Sequence, residues 1–459
     1  MLLWRRFILS VTIASVLAGC ASVQSDMNAP PPPFFSPGSS ASTQSWHVTV
    51  GLPVELPVGR GVEPTVATNG GDDVVIMAAS GHTTSTPVDM GGPLWVSHDL
   101  GKTFELAFGQ TTKTVGCVCD IDLISEGNTF YATTLSNSVF PFFNANLVSS
   151  EDGGHTWQMK ATAIAKEPPI DRPWIAASPT GRLGSTFMTM GKPTDKLVPK
   201  DGQFLYQWSD DGGTSWQGPS AIAPRGGVWL GLRPVFLGKD LAIPLQISND
   251  HGSHMQPAVA LSTDDGASFT IHQVAMPYYE TAPLSMSGGK TPDGRLLLVW
   301  SAPDPSETAS LWLTSSADHG VSWSDPVRLG LTGTAVQPML AVSPDGQLAV
   351  AYYGTNATGD LHKLPKDTAW YPRAVILDPN ATSSLFQVQA SDSPAYVGPF
   401  CNRVNCDEDG IFVLREYLGA AWSAKGNLFV AFTDASEANG DSTYKGPVKV
   451  VRVDVNRAT

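Results

Sequence analysis

The chain has 459 residues, 44 of them glycine and 36 proline, and a formal net charge of −14. With 42% apolar and only 15% charged residues it is neither a disordered chain nor a helical bundle, and 42 acidic against 28 basic side chains argue against nucleic acid or an anionic lipid surface as partner. The length exceeds the roughly 250–300 residues at which a single core stops growing, so it implies several domains or a fold built from repeats.

The N-terminus reads as an address. Arg5 and Arg6 precede an apolar run from Phe7 to Leu17, too short to span a bilayer and suited to a signal peptide. Leu17-Ala18-Gly19-Cys20 then resembles a bacterial lipobox. That resemblance implies cleavage before Cys20 and acylation of its thiol, and two or three acyl chains anchor a protein stably. Ala21, where an aspartate would resemble an inner-membrane retention signal, leans towards the outer membrane of a Gram-negative cell. Removing residues 1–19 takes away two positive charges and leaves −16. Residues 20–45, with Pro30 to Pro33, read as an extended tether. Residues 46–459 are expected to form one exported body that meets the membrane through the lipid alone.

Beyond the tether, one turn recurs. Ser97-His98-Asp99-Leu100-Gly101-Lys102-Thr103-Phe104 is its first copy, and the pattern S-x-D-x-G-x-[TS]-[WF] returns at Ser150–Trp157, Ser209–Trp216, Ser262–Phe269 and Ser316–Trp323. The aspartates Asp99, Asp152, Asp211, Asp264 and Asp318 are spaced by 53, 59, 53 and 54 residues. An aspartate can accept from the N–H groups ahead of it, glycine supplies positive φ, and the aromatic residue plugs the turn into an apolar layer. Five equivalent carboxylates are structural rather than catalytic.

This repeat resembles the Asp-box, or bacterial neuraminidase repeat, of the sialidase superfamily. The resemblance covers nearly all of residues 60–330. It implies an all-β propeller of four-stranded antiparallel blades, in which each box joins the third and fourth strands.

Short β-branched and aromatic runs between Gly, Pro and Asp turns follow the same rhythm. Units start near Pro64, Asp120, Pro173, Pro234, Pro283, Pro338 and Leu418, the last two without a box. Seven blades are therefore expected, with Trp46 to Val50 pairing into the last one and closing the ring. Enzymatic sialidases have six, and six is the alternative if a terminal unit is misread.

In a propeller the Asp boxes share one face, and the longer, varied loops of the other are the recognition surface. Phe140, Phe142, Phe143, Trp229, Tyr278 and Tyr279 are candidate sugar-stacking platforms there. Charged residues at the blade starts point to the central channel: Asp171-Arg172-Pro173, Arg233-Pro234, Glu280 and Arg415-Glu416-Tyr417. The resemblance to sialidases implies three arginines clamping a substrate carboxylate, a tyrosine nucleophile activated by a glutamate, and an aspartate as acid/base. Arg172, Arg233 and Arg415 fit the first role. Tyr417 or Tyr279 fits the nucleophile, Glu280 the base and Asp171 the acid. The family's F-R-I-P-like motif has no match, because that region reads Val58-Gly59-Arg60-Gly61-Val62-Glu63-Pro64.

The expected function is binding of a glycan or glycoconjugate on the loop face, with sialidase-type hydrolysis as its enzymatic form. A non-catalytic scaffold for an envelope protein is the alternative. No cofactor is expected, and the chain reads as a monomer. Asp250, His251 and His254 lack a helix to align them on a metal, and Asp407-Glu408-Asp409-Gly410 is a lone acidic turn. Cys401 and Cys406 flank four residues in a long insertion and are expected to form a disulfide, with pairing to Cys117 or Cys119 as the alternative.

Overall fold

The computed structural model describes residues 46–57, 60–79, 81–84, 92–108, 115–118, 120–139, 142–161, 170–189, 203–223, 228–248, 255–274, 286–377, 384–400, 414–438 and 446–457. These form seven antiparallel blades around a central channel, as the repeat predicts. Blade one runs outwards through Val62–Thr68, Val74–Ala79, Leu94–Ser97 and Glu105–Phe108. Blades two to six begin at the inner strands Ile121–Glu126, Ile170–Ala177, Val228–Gly231 with Val235–Leu237, Met286–Lys290 and Thr334–Val342. Blade seven consists of Gly419–Trp422, Asn427–Thr433, Val448–Arg457 and, as its outer strand, Trp46–Val50. Trp46 faces Arg457 and Val50 faces Val453, so the first strand does close the ring and covers an edge that would otherwise be open. No helix is long and apolar enough to cross a membrane among the described residues.

The hydrophobic core is divided among the seven junctions between neighbouring blades. Val75, Met77 and Val96 of blade one meet Leu123, Phe130 and Val148 of blade two, and the next layer joins Leu135 and Leu147 to Ile175 and Leu183. The ring ends where Phe429 and Val450 of blade seven pack on Ile76 and Trp95 of blade one. Each blade is covered on both faces. This is why Val74–Ala79 is buried at every position and reads as an unbroken apolar run rather than an alternating one.

The five repeated turns lie between third and fourth strands and share one hydrogen-bond pattern. The serine hydroxyl donates to the aspartate, at 2.7 Å in the Asp211 copy and 2.8 Å in the others. Four residues after each aspartate, a backbone N–H donates back at 2.8–2.9 Å and the hydroxyl of the same residue donates at 2.5–2.6 Å. Those donors hold Asp152, Asp211, Asp264 and Asp318 down at about 2. Partial burial opposes the effect at Asp99, but the Thr103 donors prevail there too and give about 2. The indoles of Trp157, Trp216 and Trp323 donate to the turn glycine carbonyls at 2.9–3.2 Å.

A second repeat joins first and second strands on the same face. Ser178-Pro179-Thr180-Gly181, Thr291-Pro292-Asp293-Gly294 and Ser343-Pro344-Asp345-Gly346 each close with the glycine N–H on the first residue's carbonyl at 2.9 Å. Arg182 ties the two turn sets together, reaching Asp210 at 2.6 Å and Asp265 of the next blade at 2.5 Å.

Candidate functional site

The innermost strands make the site. Three of them carry a bulge at a polar-proline pair: Glu63-Pro64, Arg172-Pro173 and Gln337-Pro338. Proline has no N–H to lose from the ladder, so it sits where pairing is interrupted. Glu63, Arg172 and Gln337, with Arg415 at the start of blade seven, all hold φ of 53–57°, a conformation that costs a non-glycine residue roughly 1–3 kcal/mol. The repeated strain places these side chains at the channel, towards the face opposite the Asp boxes.

There the arginines meet carboxylates from other blades. Arg172 grips Glu416 with both terminal nitrogens, Nη2 lying 2.7 Å from Oε1. Arg233 approaches Asp122 side-on, with Nε 3.1 Å from Oδ2 and Nη2 on Oδ1. Asp122 also accepts from the N–H of Leu123 at 3.0 Å and of Ile175 at 2.9 Å, so it braces blades two, three and four. The carbonyl of Arg415 accepts from Gln337. Glu63 accepts from the N–H of Glu416 at 3.1 Å. Burial, then the charges of Glu416 and Asp120, push the Glu63 carboxyl well up, against the pull of Arg415 and Arg172.

Tyr417 lies in the same cluster. Its hydroxyl donates to the Ile121 carbonyl at 3.0 Å, and its ring packs against Trp174 with centroids 5.6 Å apart. Burial, then Glu63, Asp120, Asp122 and Glu416, hold its proton on. In this arrangement Tyr417 is a hydrogen-bond donor, and service as a nucleophile requires a base to take that proton.

Above these pairs opens a cavity of about 70 Å³ lined by blades three to seven. Arg172, Arg233, Glu416 and Tyr417 form its polar side, and Trp174, Met286 and Met339 are prominent on its apolar side. The indole N–H of Trp174 is buried without a hydrogen-bond partner. Among the described residues no three metal-ligating side chains gather.

Of the candidate residues, Arg172, Arg233 and Tyr417 line the cavity, and Arg415 lies close enough to act on Glu63. Asp171 stands beside Arg172, half-buried, and adds to the negative field there. Cys20, Phe140, Tyr278, Tyr279, Glu280, Cys119, Cys401, Cys406, Asp250, His251, His254 and the turn from Asp407 to Gly410 lie outside the described residues, as do the side chains of Cys117, Phe142, Phe143 and Trp229. Sequence reasoning passed over Asp122, Gln337, Met286 and Met339. The recurring polar-proline pair was a signal for Gln337. Nothing local marks Asp122, which earns its place only through partners 53 and 111 residues away.

No family model matches the chain, and no curated protein matches it. Solved structures do. A protein of unknown function from Dyadobacter fermentans aligns at 15% identity over 90% of this chain and 99% of its own, with a TM-score of 0.47. A point mutant of the NanB sialidase from Streptococcus pneumoniae aligns at 12% identity over 86% and 68%, with a TM-score of 0.46. The GH93 α-L-arabinofuranosidase of Fusarium graminearum aligns at 13% identity over 66% and 93%, with a TM-score of 0.47.

Proposed function

We propose that this protein is a lipid-anchored envelope propeller that binds a glycan or glycoconjugate in the central pocket of its loop face. Acylated Cys20 is the anchor, and residues 20–45 hold the disc off the membrane. The observation that carries the reading is the pocket's composition: two guanidinium groups and the Glu416 carboxylate beside a wall of Trp174, Met286 and Met339. A sugar ring offers a C–H face to such a wall and hydroxyls to such polar groups. Sialidase-type hydrolysis is the enzymatic form of this reading, with Tyr417 or Tyr279 as nucleophile, Glu280 as base and Asp171 as acid.

One observation favours a second reading, a non-catalytic scaffold for an envelope protein. The groups that chemistry would use are already engaged: Arg172 with Glu416, Arg233 with Asp122 and Tyr417 with Ile121. The purified mature protein, tested on a glycan array and a panel of chromogenic glycosides, separates the readings. Array binding that Trp174→Ala abolishes supports the glycan site, and turnover identifies an enzyme. No binding and no turnover leave the scaffold.

A further inference from the structure

Resting on the glycan-binding part of that reading and opposing its sialidase-type form, we infer that the pocket selects an uncharged sugar and rejects the same sugar when it carries a carboxylate, as sialic and uronic acids do. The juxtaposition behind this is the pairing of the channel arginines with carboxylates of other blades. Arg172 spends both terminal nitrogens on Glu416, and Arg233 spends Nε and Nη2 on Asp122. Arg415 and Asp120 both act on the Glu63 carboxyl, in opposite directions. Glu416, Asp120 and Asp171 act on Arg172 and Asp122 acts on Arg233, so the cluster has at least as many carboxylates as arginines and offers no surplus of positive charge.

A carboxylate that takes two nitrogens of either paired guanidinium has to displace Glu416 or Asp122 from its fork. The side chain of Glu416 is 4% exposed and that of Asp122 is 1%, so the displaced group is stranded away from water. A neutral sugar leaves both pairs intact. The side chain of Arg233 is 40% exposed, leaving an edge beyond its ion pair open to hydroxyls. Trp174 lines the same cavity. Met286 and Met339 take the C–H face.

The test is calorimetric titration of the full mature protein with pairs that differ by the carboxylate alone: a methyl galactoside against the matching methyl galacturonoside, and a methyl glucoside against the matching methyl glucuronoside. The neutral member of a pair is expected to bind at least tenfold tighter, with an affinity that changes less than twofold between 50 and 500 mM NaCl. Glu416→Gln removes the internal competitor and is expected to shift the ratio towards the acidic member by about tenfold. Asp122→Asn at the second fork repeats the measurement should Glu416→Gln not fold. Tighter binding of the acidic member by the wild type overturns this inference and leaves the glycan site standing. An unchanged ratio in a folded variant overturns the pairing as its cause. Binding of no member overturns the glycan reading, and this inference with it.

Discussion

Arg172 on blade three and Glu416 on blade seven stand nearly opposite each other around the channel, and their side chains meet, Nη2 lying 2.7 Å from Oε1. The pair is a strut across the ring. Removing one partner buries the other charge alone, at a cost of about 3–5 kcal/mol. Arg172→Ala and Glu416→Ala should each lose that much in urea denaturation. The double variant should lose less than their sum, because no charge is then left unpaired. Additive losses would mean that the two side chains act independently.

The second carboxylate of the cluster carries a pH signature. Burial and the neighbouring negative charges hold the Glu63 carboxyl well above its ordinary value in the fold, while the unfolded chain releases the proton near that ordinary value. The folded state therefore binds more protons, and its stability falls as pH rises above about 4.5. Glu63→Gln keeps the acceptor for the Glu416 N–H and removes the proton. It should be more stable than wild type at pH 8 by on the order of 1–3 kcal/mol, with the advantage gone below pH 4.5. A constant difference from pH 4 to 8 would show that Glu63 is ionised in the fold.

The repeated turns have the opposite sign. Their aspartates are held at about 2, so the unfolded state takes up protons first as pH falls. Their contribution is complete at neutral pH and lost between about pH 4 and pH 2. Asp211→Asn should melt below wild type at pH 7, and the two curves should converge near pH 2. Ligand binding in the pocket should not change, because Asp211 is on the other face.

Two adjacent glycines in one turn should behave differently. Gly212 has φ +67° with nothing within 4 Å of an added Cβ, and Gly213 has φ +90° with Leu147 Cδ2 at 2.1 Å. Gly212→Ala pays for backbone strain alone, about 1 kcal/mol. Gly213→Ala adds an overlap at the junction with blade two, for a total of about 2–4 kcal/mol by thermal melting. Equal losses would mean that the junction yields freely.

Closure of the ring gives a sharp truncation boundary. A chain starting at Trp46 keeps the ladder from Trp46–Val50 to Val448–Arg457, and one starting at Gly51 exposes that edge. The shorter chain should melt lower and aggregate with rising concentration in light scattering. The longer one should match the mature protein.

The order of the strands was legible in the chain because a blade is a local object. Its turns must be made by residues within the turn, so Asp152, Gly154 and Thr156 are written into the sequence wherever they are needed. The same locality made seven units and the closing strand readable from spacing and composition. It also placed Arg172 and Arg233 at blade starts, each just before a proline, and Arg415 and Tyr417 just ahead of the last unit.

Tertiary structure alone decided what those residues do to one another. Charge in a channel depends on partners from blades that are distant in sequence, and Arg172 and Glu416 are 244 residues apart. A list of arginines reads as a clamp awaiting an anion, because a sequence shows ionisable groups but not their distances. Coulomb energy and desolvation are functions of distance and burial. Only the closed ring brings Glu416 onto Arg172 and Asp122 onto Arg233, turning two of the three apparent cations into cross-braced ion pairs.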